Sequence, residues 1–185
     1  MRIIVGITGA SGAIFGIRAL EMLKALSVET HLVLSRWART TIGTETNYSL
    51  EQVESLASAV YHHDNQAAAI SSGSFRTDGM IIAPCSMKTL AAIRIGYSDS
   101  LMSRAADVVL KERRKLVLLV RESPFGEIHL ENMLALTRMG AVIFPPVPAF
   151  YNKPTSLDDV VHHIVGRLLD QFGLDAPDMS RWQGF

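Results

Sequence analysis

The sequence has 185 residues, of which 48% are hydrophobic, and its 18 Lys and Arg residues are balanced by 18 Asp and Glu residues. This length allows one domain with a buried core, and the neutral balance excludes a nucleic-acid-binding protein that depends on a basic surface. A single cysteine, Cys85, excludes an internal disulfide bond and fits a reducing compartment. No apolar segment has the length of a signal-peptide core or a membrane span, so we expect a cytoplasmic protein that does not enter membranes.

Five short apolar segments predict the strands of a sheet. They are Ile3–Ile7, Thr30–Ser35, Gly79–Pro84, Lys115–Val120 and Ala141–Pro145. Each is continuously apolar rather than alternating, which is typical of strands that are buried on both faces. Segments with helical spacing of apolar residues separate them, at Ile17–Leu26, Leu50–Val60, Thr89–Ile95, Leu101–Leu110, Leu130–Leu136 and Val160–Leu169.

This alternation predicts an α/β fold, a Rossmann-like (flavodoxin-like) three-layer sandwich with a mainly parallel sheet. Residues 62–77 and the proline-rich Phe144–Pro154 predict two long loops, and residues 175–185 predict an irregular tail. No linker or repeat divides the sequence, so residues 1–185 are expected to form one domain. Ligands of such sheets bind beyond the carboxyl ends of the strands, so the residues that follow each strand are the candidates for a site.

The first strand leads directly into a glycine-rich turn, Gly9-Ala10-Ser11-Gly12. Glycine lets the backbone turn tightly and approach a ligand, and Ser11 is expected to cap the helix that follows. The free N–H groups and the partial positive charge of a helix N-terminus favour a phosphate group. A tight strand-to-helix turn that binds no ligand is the alternative interpretation.

The turn also resembles that of short-chain dehydrogenases, but two absences count against that interpretation, and a third excludes a P-loop. None of the four tyrosines has a lysine four residues later, so the Tyr-x-x-x-Lys pair of short-chain dehydrogenases is absent. The second strand ends in Ser35-Arg36, where a site for NAD has an acidic residue. No Gly-Lys pair exists, which excludes a P-loop. A mononucleotide such as FMN therefore fits the turn better.

The third and fourth strands also end in polar residues. Ser86 and Thr89 lie where a strand gives way to a helix, so both can donate hydrogen bonds to a ligand. Cys85 could be a nucleophile, but with no second cysteine and no nearby histidine a small buried residue is the favoured interpretation. Arg121 could contact a flavin or a phosphate, and the alternative is a surface ion pair with Glu122.

The remaining charged residues carry weaker signals. Arg104 and Lys111 are seven residues apart and therefore share one face of a helix, although a solvated face is the usual meaning of such a pattern. Glu45 indicates nothing by itself. Asp158 and Asp159 lack the final carboxylate of a magnesium-binding Asp-Asp-x-x-Asp motif and fit the first turn of a helix. Neither pair of adjacent histidines, at positions 62–63 and 162–163, has a partner at i+4, so no metal site is predicted.

Taken together, the motifs resemble those of the UbiX-type flavin prenyltransferases, a family once called aromatic acid decarboxylases. The resemblance rests on TGASG, Ser35, TET, PCSMKT, RAADVVLKERRKLVLLVRESPF, IHLENM and the proline-rich loop that ends in FY. It extends from Arg2 to about Trp182, and the block from Arg104 to Met133 is its most specific part. The resemblance implies a Rossmann-like fold and a homo-oligomer, a dodecamer built of trimers.

The resemblance also implies a reaction: metal-independent transfer of the dimethylallyl group of dimethylallyl monophosphate to N5 and then C6 of reduced FMN. The product, prenylated FMN, would serve a UbiD-type decarboxylase of aromatic acids. The residues that match flavin contacts of the family are Gly9, Ala10, Ser11, Ser35, Ser86, Met87, Lys88, Thr89 and Arg121. Those that match contacts to dimethylallyl phosphate are Arg104, Lys111, Glu122, Tyr151 and Arg167, and Glu45 matches a further acid at the site.

These residue types suit the implied chemistry. Breaking an allylic C–O bond releases a phosphate dianion, which Arg104, Lys111, Arg167 and the Tyr151 hydroxyl would stabilise without a metal. Ring closure needs a base, and either Glu122 or the released phosphate could take the proton. The loop Ser71–Ser74 is expected to lie over the site.

Two other functions remain open from the sequence. One is a flavin-dependent decarboxylase that acts directly, on a cysteine residue or on an aromatic acid. The other is a non-catalytic protein that only binds FMN for a partner. A decarboxylase of the cysteine type would not need the basic segment LKERRK or RESPF, and a protein that only binds FMN would not need Lys111 or Arg167. The prenyltransferase is therefore the preferred hypothesis.

Overall fold

The computed structural model describes residues 1–184 and contains one six-stranded sheet. Within that range the strands are β1 Arg2–Ile7, β2 Glu29–Leu34, β3 Ala59–Tyr61, β4 Gly79–Cys85, β5 Lys115–Val120 and β6 Val142–Ile143. Their spatial order is β3-β2-β1-β4-β5-β6, and every neighbouring pair is parallel. The predicted α/β class and parallel sheet are confirmed.

Seven α-helices cover the two faces of the sheet in the described chain. They are α1 Ala13–Ala25, α2 Arg36–Glu45, α3 Leu50–Glu54, α4 Met87–Arg94, α5 Leu101–Lys111, α6 Glu127–Arg138 and α7 Leu157–Leu169. Helices α1 and α7 pack together on one face, and α4 packs against α5 and α6 on the other. The result is a three-layer sandwich.

Strand β1 shows why the strand segments are continuously apolar. Ile3, Val5 and Ile7 lie in the core on the α1 side, whereas Ile4 lies in the core on the α5 side. All four are at most 1% exposed. Because successive side chains of a strand point to opposite faces, both faces need an apolar residue at every position.

The predicted helix over Leu50–Val60 is wrong in its second half. Helix α3 ends at Glu54, and after a turn the chain enters the edge strand β3. Helix α2 was not predicted, because only two of its residues, Ala38 and Ile42, are buried. Two apolar residues at i and i+4 give one turn of contact, which is too little periodicity to indicate a helix. The predicted strand Ala141–Pro145 shortens to two residues, since prolines cannot donate to a sheet ladder.

The predicted loops and tail are irregular in the described residues, apart from one short 3-10 helix, Ala69–Ser71, in the first loop. Residues 175–184 nevertheless fold back onto α7, while Phe185 lies outside the described residues. Arg181 binds both carboxylate oxygens of Asp170, at 2.8 and 3.0 Å, and Met179 packs where a Cβ on Gly166 would stand. Across residues 1–184 we find no helix with the length and apolar character needed to cross a membrane.

Candidate active site

The order of the strands creates a cleft at the carboxyl edge of the sheet. From β1 the chain moves outward in one direction through β2 and β3, and then returns to place β4 on the other side of β1. The connections from β1 and β4 therefore diverge, which leaves a crevice between them, as at other switch points of parallel sheets. A cleft of about 820 Å³ lies there. This size is in the range of sites for small molecules and cofactors.

The cleft brings together every residue that matched a flavin contact. Its lining includes Gly9, Ala10, Ser11, Ser35, Ser86, Met87, Lys88, Thr89 and Arg121, and also Glu122. These residues come from four separate segments of the chain, which are joined only by the fold. The sequence analysis chose them from strand ends and family resemblance, and the structure places them in one cavity.

Close packing of the backbone explains the glycine at position 9. A Cβ added to Gly9 would lie 2.2 Å from the Cβ of Trp37, on the first turn of α2. Any side chain at position 9 would therefore push α2 away from the turn. Trp37 itself is 74% exposed and lines the cleft. The tryptophan was not predicted as a site residue, because nothing in its sequence context indicates a ligand.

Thr8 is a second residue that the sequence analysis missed. Its hydroxyl donates to the carbonyl of Pro84 at 2.7 Å and accepts from the backbone N–H of Ser86 at 3.1 Å. The side chain is 1% exposed and ties the end of β1 to the end of β4. It therefore holds the two sides of the cleft at a fixed separation. A threonine directly after a strand, before a glycine turn, was the only available signal.

Three serine side chains cap the helices that begin at the cleft. The Oγ atom of Ser35 accepts from the N–H of Ala38 at 3.1 Å at the start of α2, and Ser86 and Ser100 cap α4 and α5 in the same way. All three serines line the cleft, so three helix N-termini surround it. Their dipoles make this edge of the sheet favourable for a negatively charged group.

The carboxylate of Glu45, the last residue of α2, lies at the N-terminus of α1, where Ser11 was expected to cap the helix. The cap residue is Gly12, at φ 99°, and it has no side-chain cap bond. Instead, the N–H of Gly12 donates to Glu45 Oε2 at 2.7 Å. Burial opposes ionisation of Glu45, but hydrogen bonds from Ser11, Gly12 and Ala13 and the charge of Arg121 hold the pKa of this carboxyl below its ordinary value. The predicted capping role of Ser11 is therefore wrong.

The residues of the cleft fit FMN. Backbone N–H groups of the turn after β1, the hydroxyl of Ser35 and the helix N-termini provide donors for a phosphate monoester, and Met87 and Ala92 provide apolar contact. Arg121 and Lys88 provide cations at the rim. A dinucleotide would need an acid for its second ribose, and Ser35-Arg36 stands at that point of the cleft.

Arg104 and Lys111 lie outside this cleft. As predicted, they share one face of α5, and both contact the segment Ser71–Ser74. Arg104 Nε donates to the Ser71 carbonyl, at the end of the 3-10 helix, at 3.2 Å, and Lys111 Nζ approaches Gly73. Lys111 ends α5, whose first turn lines the cleft, so about 15 Å of helix separates the lysine from that turn. Its Nζ pairs with Glu112 at 2.7 Å.

The loop Ser71–Ser74, expected over the site, packs against α5 and its C-terminal end instead. Arg114 Nη2 donates to the Gly73 carbonyl at 2.7 Å, and no residue of this loop lines the flavin cleft. In its own chain the loop lies away from the cleft, because it precedes β4 and therefore lies at the amino-terminal side of that strand, whereas the cleft lies at the carboxyl edge.

Tyr151 and Arg167 lie together in a second cavity, of about 480 Å³, between the proline-rich loop, α7 and the tail. The Tyr151 hydroxyl is 3.0 Å from His163 Nε2, and its ring meets Trp182 edge to face. Arg167 pairs with Asp170 at 2.6 Å. The structure of one chain therefore distributes the predicted site residues among three places.

Cys85 and the metal-like motifs have structural explanations. Cys85 is fully buried, and burial raises the pKa of its thiol to about 12, so it is not a nucleophile. The ligand atoms of His62, His63 and Asp64 lie within 4.8 Å of one another. The Arg36 guanidinium already bridges two of them, at 2.5 Å to His63 Nε2 and 2.9 Å to Asp64.

Asp158 and Asp159 lie in the first turn of α7, as predicted. Asp158 pairs with Arg18 on α1 at 2.5 Å. Asp159 accepts from the backbone N–H groups of Thr155 and Ser156, at 2.8 and 3.0 Å. Both carboxylates therefore serve the packing and the start of α7.

Comparison with known proteins gives consistent results. The Flavoprotein family model matches residues 1–169. A protein of Bacillus subtilis (strain 168), named "Probable UbiX-like flavin prenyltransferase", is 64% identical over 184 residues, which cover 100% of this chain and 90% of that protein.

Two solved structures superpose over the whole chain. One is AnUbiX (PadA1) in complex with FMN and dimethylallyl pyrophosphate, with a TM-score of 0.98 and 59% identity, covering 100% of this chain and 98% of that one. The other is a dodecameric FMN-dependent Ubix-like decarboxylase from Escherichia coli O157:H7, with a TM-score of 0.98, 62% identity and full coverage of both chains.

Proposed function

The chain belongs to the Flavoprotein family and within it to the UbiX-type flavin prenyltransferases, and we propose that it transfers a dimethylallyl group from dimethylallyl monophosphate to reduced FMN. The observation that carries this proposal is the convergence of all nine expected flavin contacts in one cleft. The product, prenylated FMN, would be delivered to a UbiD-type decarboxylase of aromatic acids. A cytoplasmic location is part of the same proposal.

FMN would lie in the cleft with its phosphate toward the turn after β1 and the capped helices. Reduced FMN would supply the nucleophilic ring atoms that accept the prenyl group. The chain would hold it by the backbone of Gly9–Ser11, by the hydroxyls of Ser35 and Ser86, and by Arg121 at the rim. Because Thr8 ties the end of β1 to the end of β4, these contacts would be arranged before the ligand arrives.

Cations would stabilise the phosphate as the allylic C–O bond breaks. Arg104, Lys111 and Arg167 carry the charge that this step needs, and the Tyr151 hydroxyl adds a donor. Among residues 1–184 each arginine has one carboxylate partner, Asp107 for Arg104 and Asp170 for Arg167. A dianionic phosphate could compete for these arginines, whose side chains are 36% and 49% exposed, since partly exposed ion pairs contribute little.

Glu122 would act as the base in ring closure. It lines the flavin cleft at the end of β5, and its Oε1 accepts from the N–H of Ser123 at 3.1 Å. Its second oxygen is available to a proton of the prenyl group or of the flavin ring. Glu45, at the start of α1, is ionised more readily than an ordinary glutamate and would act as a negatively charged neighbour of Arg121.

A homo-oligomer would bring the three separated groups into one site. Lys111 lies at the far end of α5 from the cleft of its own chain, and Tyr151 with Arg167 lines a different cavity. We therefore propose that copies of this chain complete one another's sites. Exposed apolar side chains, such as Ile128 at 70% and Phe150 at 77%, would be covered in the assembly. We propose a dodecamer of trimers, as a dodecamer is known for the Escherichia coli relative.

The donor is proposed to be a monophosphate used without metal. The two acids that resemble half of a magnesium motif are already engaged, Asp158 by Arg18 and Asp159 by the start of α7. A monophosphate also brings less charge than a diphosphate, so protein cations can suffice. Because AnUbiX was solved with dimethylallyl pyrophosphate, both donors need to be tested.

The decisive experiment measures the mass of the flavin. The purified protein is incubated anaerobically with reduced FMN and dimethylallyl monophosphate, in the presence of a chelator, and the extracted flavin is analysed by mass spectrometry. We expect a gain of one isoprene unit. A parallel reaction with dimethylallyl pyrophosphate and Mg²⁺ tests the choice of donor.

Matched variants separate the roles. Lys111→Met is expected to slow transfer about 10²- to 10³-fold without loss of FMN binding. Arg113→Met removes an exposed cation two residues away and is expected to leave the rate unchanged. Unmodified FMN from folded, flavin-loaded wild-type protein would refute the proposal and favour a decarboxylase or a flavin-binding protein.

A further inference from the structure

The Tyr151 hydroxyl is held by a buried histidine. His163 Nε2 lies 3.0 Å from Tyr151 Oη, and the two rings meet edge to face with centroids 5.6 Å apart. His163 is only 7% exposed, while Tyr151 reaches the cavity that contains Arg167. A phenol has one proton and two lone pairs, so its partner decides whether it presents a donor or an acceptor to the cavity.

The other side of the imidazole determines that choice in the free protein. Ser180 lines a cavity together with His163, and its backbone raises the pKa of the ring, as a carbonyl that accepts from a ring N–H does. Burial and the charge of Arg167 lower the pKa of His163, while Ser180 and Asp170 oppose them. A neutral ring has one N–H. If the Ser180 carbonyl accepts this N–H, Nε2 carries no hydrogen and accepts from the Tyr151 hydroxyl, whose O–H then points to the histidine.

That arrangement is unsuited to a bound phosphate. The hydroxyl would present only lone pairs to the cavity, and these repel a phosphate oxygen. The conflict disappears if the imidazole carries two N–H groups. One then donates to the Ser180 carbonyl and the other to Tyr151 Oη, which leaves the phenolic O–H free to donate outward.

We infer that His163 is a positioning residue for Tyr151, and that it takes up one solvent proton at Nε2 when the phosphate end of the allylic substrate binds. The proton turns the Tyr151 hydroxyl toward the phosphate, and no covalent bond forms or breaks. The driving force is electrostatic, since a dianion beside Arg167 cancels the positive charge that disfavours an imidazolium and adds negative charge nearby. This inference rests on the proposed function only for the identity of the ligand.

The surroundings can accommodate the added charge. The charged or titratable groups around His163 come from α1, from the loop before α7, from α7 itself, from the 3-10 turn after it and from the tail. They are Arg18, Tyr151, Lys153, Asp158, Asp159, His162, Arg167, Asp170, Asp178 and Arg181. In this set four carboxylates face four arginine and lysine cations, so the bound phosphate dianion is the unbalanced charge that an imidazolium would offset.

Calorimetry of the intact, FMN-loaded protein tests the inference. Dimethylallyl monophosphate is titrated at pH 7 in two phosphate-free buffers with different ionisation enthalpies, with the flavin kept oxidised so that no transfer occurs. The difference in heat gives the number of protons bound. We expect the wild type to take up more protons than His163→Gln, by up to about one per site, and to bind about two- to tenfold more tightly.

Two further variants make the test specific. His162→Gln changes the neighbouring histidine, which contacts the Pro177 carbonyl at 3.0 Å, and is expected to keep the uptake of the wild type. Tyr151→Phe is expected to diminish the uptake, because a proton at His163 Nε2 then loses the hydroxyl that accepts from it. Quenching of flavin fluorescence reports that each variant folds and binds FMN.

The outcomes are distinct for the two proposals. Equal proton uptake in the wild type and His163→Gln, undiminished uptake in Tyr151→Phe, or no binding to the wild type would overturn the inference. Binding with the expected proton uptake, together with no mass gain on reduced FMN, would refute prenyl transfer and leave the inference intact.

Discussion

Two inactive variants are expected to restore activity when they assemble together. Lys111 belongs to the far end of α5, about 15 Å of helix from the turn that lines the cleft, whereas Glu122 lines the cleft directly. Lys111→Met and Glu122→Gln each alter a different part of the site that, under the proposed assembly, several copies share. A site that draws the two residues from different copies can therefore be intact in a mixed assembly.

The expected recovery follows from random assembly. With equal amounts of the two variants, each site has one chance in two of a native lysine and one in two of a native glutamate, so about one quarter of the sites are intact. Each variant alone is expected to be slowed about 10²-fold or more. Recovery of about one quarter of the wild-type rate would therefore stand well above the background.

The assay uses co-expression of the two variants with different affinity tags. Purification on both tags selects mixed assemblies, and prenylated FMN is measured by mass spectrometry. As a control, Lys111→Met is co-expressed with both tags, and its yield of prenylated FMN is expected to stay at the level of the single variant. A mixed assembly that contains both variants but shows no recovery would refute the reasoning, since it would place both residues in the site of one chain.

Three further predictions follow from single contacts. Gly9→Ala is expected to weaken FMN binding at least about tenfold, measured by flavin fluorescence, because its Cβ would lie 2.2 Å from that of Trp37; unchanged affinity would contradict this. The thiol of Cys85 is expected to resist a disulfide reagent at pH 8 until the protein unfolds. Folding raises the pKa of the Cys85 thiol from about 9 to about 12. The contribution of this thiol to the free energy of unfolding is therefore fully present below pH 9 and is lost as the pH rises toward 12, which denaturant unfolding at several pH values measures. Glu45→Ala is expected to lower the free energy of unfolding by about 1 kcal/mol, since the N–H of Gly12 loses its acceptor. A variant that unfolds at the same temperature as the wild type would exclude this role.

The structure corrected the sequence analysis where apolar periodicity was weak. Helix α2 buries only Ala38 and Ile42, and β3 is a three-residue edge strand, so neither has a pattern that stands out from a polar loop. The capping of α1 by Glu45 is a contact between residues 33 apart in the chain. Local reasoning assigned that position to Ser11, because nearby serines usually provide such caps.

The sequence by itself determined the class of fold and most of the flavin cleft. Five apolar strands in alternation with helices leave little choice but a parallel sheet, and the carboxyl ends of its strands must share one edge. The residues after those strands, such as Gly9, Ser35, Ser86 and Arg121, were therefore identifiable before any coordinates were known.

Only the tertiary structure decided how the remaining residues are distributed. Arg104 and Lys111 share a helix face, which the sequence predicts, but the direction of α5 relative to the sheet places that face away from the cleft. Tyr151 is paired with His163 because the proline-rich loop and the tail pack on α7. Local patterns specify which side chains share an element. Long-range packing of whole elements decides which of them meet.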